Sequence, residues 1–145
     1  MRYLLDTCVL SELVKKKPNE GVVGWLQNQE ELSLYLSVIT FGELQKGISK
    51  LVESRKRKKL QDWIDQDLAS RFEGRVLDVD LGVATRWGEL SGAAEKVGKR
   101  VPVLDGILAA TALERELTLV TENVRHFQAT ECSYFNPWER RPLAE

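Results

Sequence analysis

The chain has 145 residues, 43% hydrophobic and 30% charged, with a formal net charge of −1. That length suits one domain with a sizeable core, and the balance excludes a disordered chain and a global field for nucleic acid. No apolar run approaches the roughly 18 residues of a membrane span, and Asp6 interrupts any signal-peptide core at the start.

Tyr3-Leu4-Leu5 is a short apolar run ended by Asp6-Thr7, which predicts a strand leading into a helix with Val9, Leu10, Leu13 and Val14 at helical spacing. Asp6 then stands at a strand's carboxyl end, where an aspartate also makes a good N-cap. Two cysteines, Cys8 and Cys132, make neither a disulfide framework nor a zinc site. Cys8 reads as a small core residue, and a reducing cytoplasm is the expected location. Lys15 to Asn19 breaks the first helix and starts a second, whose apolar face is Val22, Val23, Trp25 and Leu26. Leu32, Leu34, Leu36 and Val38 alternate, predicting a strand that ends in Ile39-Thr40. Thr40 and Glu43 have the spacing of a capping box, which gives Glu43 a local explanation beside any functional one. Phe41, Leu44, Ile48 and Leu51 continue that helix.

Arg55-Lys56-Arg57-Lys58-Lys59 opens a further helix with Leu60, Trp63, Ile64 and Leu68 as its apolar positions. A solvated face and a phosphate-facing patch are both open readings of these cations. Residues 72–75 read as a turn, Val76 to Val79 as a short strand, and Asp80 as the cap of a long helix bearing Val83, Ala84, Trp87, Leu90, Ala94 and Val97. Lys99 and Arg100 lie in the loop before Asp105, which opens a helix apolar on almost every side and therefore buried. Leu117 to Val120 and Ser133 to Phe135 complete the strands. Short strands alternating with helices predict a three-layer α/β fold with a mainly parallel sheet, as one domain over residues 1–145.

In such sheets ligands sit at the carboxyl ends of the strands. Asp6, Glu43 and Asp105 fall there, as do Glu122 and Asn123. Carboxylates gathered in one place repel unless a cation neutralises them, and all-oxygen donors favour Mg²⁺ or Mn²⁺ over zinc. The single histidine, His126, builds no histidine-based metal site and reads as a strand-end or surface residue. Thr121 has two readings, a hydrogen bond to a carboxylate or the close of the strand. Trp25, Trp63, Trp87 and Trp138 suit core or interface packing better than base stacking.

Leu4-Leu5-Asp6-Thr7-Cys8-Val9-Leu10-Ser11-Glu12-Leu13 resembles the opening motif of PIN-domain ribonucleases, and Thr40-Phe41-Gly42-Glu43-Leu44 their second acidic motif. Asp105 to Ala112 and Leu119 to Phe127 resemble the third and fourth, in the same order and spacing. VapC-like toxins of prokaryotic type II toxin–antitoxin modules, FitB-like members in particular, carry this pattern, and Asn136-Pro137-Trp138 fits their ending. The resemblance implies a PIN-like α/β/α fold and a metal-dependent endoribonuclease that leaves a 5′-phosphate and a 3′-hydroxyl. It maps the catalytic positions onto Asp6, Glu43, Asp105 and Asn123, with Mg²⁺ or Mn²⁺ held by Asp6, Glu43 and Asp105. The fourth position, often Asp in the family, is here the amide Asn123, which offers an oxygen but no charge; Glu122 is its neighbour. Cys8 replaces a small polar residue common in the family, and its sulfur suits packing better than Mg²⁺ ligation.

The resemblance further implies an RNA substrate, a cognate antitoxin covering the groove, operator DNA reached through that antitoxin, no membrane, and a homodimer. Arg55, Lys56, Arg57, Lys99 and Arg100 are then candidates to hold RNA phosphates. The alternative is a non-catalytic PIN module that binds antitoxin or nucleic acid, which the amide at position 123 keeps open. A haloacid-dehalogenase-like phosphohydrolase would want an acid two residues after Asp6, where Cys8 stands.

Overall fold

A computed structural model describes residues 1–139. Its centre is a five-stranded, wholly parallel sheet in the order β3-β2-β1-β4-β5. The strands are β1 (Tyr3–Leu5), β2 (Leu34–Ser37), β3 (Val76–Leu77), β4 (Thr118–Val120) and β5 (Tyr134–Phe135). β1 lies between β2 and β4, with Leu4 opposite Tyr35 on one side and Leu119 on the other.

Successive strand residues point to opposite faces, and this divides the core in two. Leu5, Leu34, Leu36 and Val120 face α1 (Thr7–Leu13), α2 (Glu20–Gln27), α3 (Val38–Ser49) and the segment carrying Ile64, Leu68 and Phe72. That segment is α4 (Arg55–Asp62), continued by a π-helical stretch, Trp63–Leu68, and a last turn, α5 (Ala69–Arg71). Leu4 and Leu119 face the other way, onto α6 (Leu81–Lys96) and α7 (Val103–Arg115). A sheet covered on both faces needs apolar residues at nearly every strand position, which Leu4-Leu5 and Leu119-Val120 supply. The three-layer α/β/α arrangement with a parallel sheet is the one expected from the sequence.

Several element boundaries differ from that expectation. The run Leu32–Thr40 is not one strand: Leu32 is exposed in a 3₁₀ turn, β2 ends at Ser37, and the Ser37 hydroxyl caps α3 by accepting the Ile39 N–H (3.0 Å). With Ser37 as the cap, Thr40 lies buried inside the first turn and its capping box with Glu43 does not form. β3 stops at Leu77 rather than Val79. α7 begins at Val103 after Pro102, so Asp105 sits within its first turn rather than opening it. The last strand starts at Tyr134 rather than Ser133. Other local readings hold: Asn19 caps α2, and Asp80 caps α6 through the Val83 N–H (2.9 Å).

Two side chains brace separate parts of the fold. Buried Arg75 pins the turn before β3 by donating to the carbonyls of Glu31, Leu34 and Arg71 and to the Glu31 carboxylate, with its guanidinium over the Phe72 ring. Glu12 of α1 accepts bonds from Lys15 Nζ (2.9 Å), the Asn19 N–H (3.0 Å) and Trp138 Nε1 (3.2 Å), tying the Pro137–Glu139 turn to the first helix. No helix among the described residues is long and apolar enough to cross a membrane.

Candidate active site

The chain runs from β1 outward through β2 to β3, then returns to lay β4 on the other side of β1. The strand order therefore reverses between β1 and β4. At such a switch point the connections leave in opposite directions and open a crevice beyond the strands' carboxyl ends.

Asp6 follows β1 at the edge of that crevice. Its N–H is spent on the Val120 carbonyl of β4 (2.9 Å), which fixes its backbone across the switch. Oδ1 accepts the Thr7 N–H (2.7 Å) and Oδ2 accepts the Thr121 hydroxyl (2.8 Å), with Cys8 Sγ 3.7 Å from Oδ2. Asp6 thus caps α1 and also binds across the switch point, so the cap and the functional reading coexist. The side chain is buried, and burial lifts its carboxyl above the ordinary aspartate value; the nearby Asp105 charge pushes the same way against the hydrogen bonds from Thr121 and Thr7.

Glu43 projects from α3, one turn beyond the carboxyl end of β2. Its Oε1 accepts the Thr7 hydroxyl (2.7 Å), and Thr7 Oγ1 lies 3.3 Å from the Thr40 hydroxyl. Thr7 therefore serves two acids, Asp6 through its amide and Glu43 through its hydroxyl. Asp105, in the first turn of α7, pairs with His126: Nδ1 lies 2.7 Å from Oδ2. Burial raises the Asp105 carboxyl above its usual range and the Glu43 charge adds to this, while His126 opposes them. The three acids thus feel one another's charge: Asp105 acts on Asp6, and Glu43 on Asp105.

Thr121 closes β4 and donates to Asp6, which joins its two sequence readings; its oxygen also accepts the Asn123 N–H (2.9 Å) and so shapes the turn that follows. Asn123 and Glu122 are exposed just past that turn, and among the described residues neither side chain hydrogen-bonds to the three acids. Cys8 is half-buried, packed against the core and beside Asp6 and Thr121, and burial pushes its thiol up to about 12, so it stays protonated. Arg55, Lys56, Lys99 and Arg100 are exposed, away from any ion pair among the described residues. Arg57 differs: its guanidinium holds the Leu51 carbonyl (3.1 Å) and Glu53 (3.0 Å), spanning the turn between α3 and α4.

Among the described residues no group of three acidic, histidine or cysteine side chains forms a ready-made ion cage. The donor chemistry nevertheless suits a hard divalent cation. The three acids offer carboxylate oxygens, and one oxygen each on Glu43 and Asp105 is left over after Thr7 and His126 have taken the other.

The model of the PIN domain matches residues 3–131. The chain belongs to the PIN-domain family. Within that family its likeness is to FitB and VapC proteins. It is 38% identical to toxin FitB of Neisseria gonorrhoeae over 93% of this chain and 97% of that one. It is 34% identical to a VapC ribonuclease of Sinorhizobium fredii, over 94% of this chain and 97% of that one. A solved structure of FitAB bound to a DNA fragment superposes with a TM-score of 0.90 at 34% identity, covering 98% of this chain and 99% of that chain.

Against this PIN framework the sequence motifs bring Asp6, Glu43 and Thr121 into one hydrogen-bonded group through Thr7, with Asp105 near enough for its charge to act on Asp6 and Asn123 in the turn after Thr121. They miss the roles of Thr7 and His126. Thr7 could have been found as the hydroxyl directly after a strand-end acid. His126, read as a strand-end or surface residue, is indeed exposed in the turn after β4, and its ring also binds Asp105; its one sequence signal is to be the lone histidine in that turn.

Proposed function

We propose that this PIN domain is the endoribonuclease toxin of a toxin–antitoxin pair, hydrolysing RNA phosphodiester bonds at Asp6, Glu43 and Asp105 with Mg²⁺ or Mn²⁺. The observation that carries the reading is the crevice itself: three half-buried or buried carboxylates at the sheet's switch point, mutually repelling and each held by a protein donor. Such an arrangement is unfavourable on its own and favourable around a cation. The likeness to a VapC ribonuclease and to FitB over nearly the whole chain supports the activity and the toxin role.

Asp6, Glu43 and Asp105 would hold the cation, which when bound supplies an acidified water and offsets charge at the phosphate. The chain's residues do the rest. Thr7 and Thr121 keep Asp6 and Glu43 oriented, and Asn123 presents an amide at the rim that can orient water or the scissile phosphate. Arg55, Lys56, Lys99 and Arg100 are the exposed cations that would hold the RNA backbone, whereas Arg57 is committed to the α3–α4 turn. The likeness to FitAB bound to DNA supports an antitoxin partner and operator DNA reached through it; a homodimer and a cytoplasmic location belong to the same reading.

The test compares wild type, Asp6→Asn and Asp105→Asn, each purified free of antitoxin, on total cellular RNA with Mg²⁺, Mn²⁺ or EDTA. Metal-dependent cleavage by wild type that both substitutions abolish is the expected result. Equal cleavage by all three proteins would reject this site. No cleavage by any of them, from folded protein, would leave binding without hydrolysis as the function.

A further inference from the structure

We propose that His126 is a positioning residue whose Nδ1–H holds one oxygen of Asp105 and so sets the orientation of the other. This rests on the proposed cation site. The three acids share a pattern: Asp6 is held by the Thr7 amide and the Thr121 hydroxyl, Glu43 by the Thr7 hydroxyl, and Asp105 by the His126 ring. Each donor takes a carboxylate oxygen and restrains the rotation of the group. Thr7 and Thr121 lie next to strand ends, but Asp105 stands on a helix where, among the described residues, no hydroxyl bonds to it, and the ring fills that place.

The ring is itself firmly mounted. It belongs to the 3₁₀ turn Val124–Phe127, whose Phe127 is fully buried under α7 and whose backbone is closed by bonds from the His126 N–H to the Asn123 carbonyl (3.0 Å) and from the Thr130 N–H to the Phe127 carbonyl (3.1 Å). A carboxylate only accepts, so at 2.7 Å the Nδ1 carries the proton. The role needs a proton on Nδ1, which the charged ring and the Nδ1–H tautomer of the neutral ring both supply. Without the donor, Asp105 faces the like charge of Glu43 with nothing to oppose its rotation away. Groups that orient metal-binding side chains in this manner typically matter by roughly 10–100-fold in metal affinity.

The experiment measures Mn²⁺ binding by calorimetry or electron paramagnetic resonance on purified wild type, His126→Ala, His126→Asn, His126→Gln and Asp105→Asn, with thermal melts of each. An asparagine amide reaches the place of Nδ1, whereas glutamine reaches the place of Nε2. His126→Ala is expected to bind Mn²⁺ roughly 10–100-fold more weakly while melting close to wild type, because the ring is half exposed. His126→Asn is expected to recover most of the loss and His126→Gln little of it. Wild-type affinity in His126→Ala overturns the inference and leaves the nuclease reading intact. Failure of His126→Asn to recover shows that the ring does more than donate, and overturns it also. If wild type and Asp105→Asn bind Mn²⁺ equally poorly, the cation site falls and the inference falls with it.

Discussion

Replacing Thr7 by valine removes one hydroxyl and keeps the β-branched shape, so it isolates the bond that holds Glu43. The Thr7 N–H still donates to Asp6, because the backbone is unchanged. What disappears is a 2.7 Å bond to a carboxylate oxygen and the 3.3 Å approach to Thr40. A hydrogen bond to a charged group contributes about 1.5–3 kcal/mol. Thr7 and Glu43 are only half-buried, so water recovers part of this, and the lower end applies. The expected cost is about 1.5 kcal/mol, a fall of about 5 °C in Tm for a chain of this size. The functional cost should be larger, because Glu43 then samples other rotamers: roughly 10–100-fold in cleavage at limiting Mn²⁺. The assay is initial-rate cleavage of a fluorogenic RNA across a Mn²⁺ titration, with melts alongside. Thr7→Ser keeps the hydroxyl and should stay near wild type in both. Wild-type cleavage and wild-type metal dependence in Thr7→Val would refute the role given to this hydroxyl.

Other expectations test the packing, the charges and the RNA path. A β-carbon on Gly106 would lie 2.9 Å from Trp87 Cδ1 and 3.0 Å from Nε1, so Gly106→Ala must displace that ring. It should destabilise by about 1–2 kcal/mol despite alanine's better helix propensity, as read by urea unfolding. Asp6 and Asp105 both start from 3.8 in the unfolded chain and are raised in the folded one. Below 3.8 both states hold the proton and the acids cost nothing. As the pH rises through the raised folded values, the unfolded chain is favoured and stability is lost. In EDTA, Asp105→Asn should therefore gain stability over wild type at neutral pH and lose that advantage in acid, measured as the difference in Tm; an equal difference at every pH would contradict this. Arg55→Gln with Lys56→Gln should weaken RNA binding and lower the slope of log affinity against log salt by about 0.7 for each phosphate no longer neutralised, whereas Arg57→Gln should chiefly lower Tm.

The layers of this fold are legible in the sequence because burial on both faces leaves a simple trace. Leu4-Leu5 and Leu119-Val120 are unbroken apolar pairs, and each divides between the two cores. Edges are harder to read. The alternation of Leu32, Leu34, Leu36 and Val38 runs through a 3₁₀ turn, a strand and a helix, since a period of two says nothing about where hydrogen bonding to a neighbour stops. The Thr40 capping box loses to Ser37, which is nearer the strand end and bonds first. Asp6, Glu43 and Asp105 could be marked as candidates because acids at strand ends and first turns are visible locally. Their supporting bonds could not: Thr7 reaches Glu43 across 36 positions and Thr121 reaches Asp6 across 115, and no local pattern encodes such distances.

The placing of β1 between β2 and β4 also sets an order in time. During synthesis β1 and its acid emerge well before β4, their neighbour on the far side. A chain halted before Thr118 already holds all three acids but has no Thr121 to bind Asp6, no His126 to bind Asp105, and no Trp138 to reach back to Glu12. Loop closure over so many residues comes late. Completion of the crevice therefore waits until the segment through Trp138 has been translated, so a nascent chain halted earlier carries the acids without the bonds that hold them.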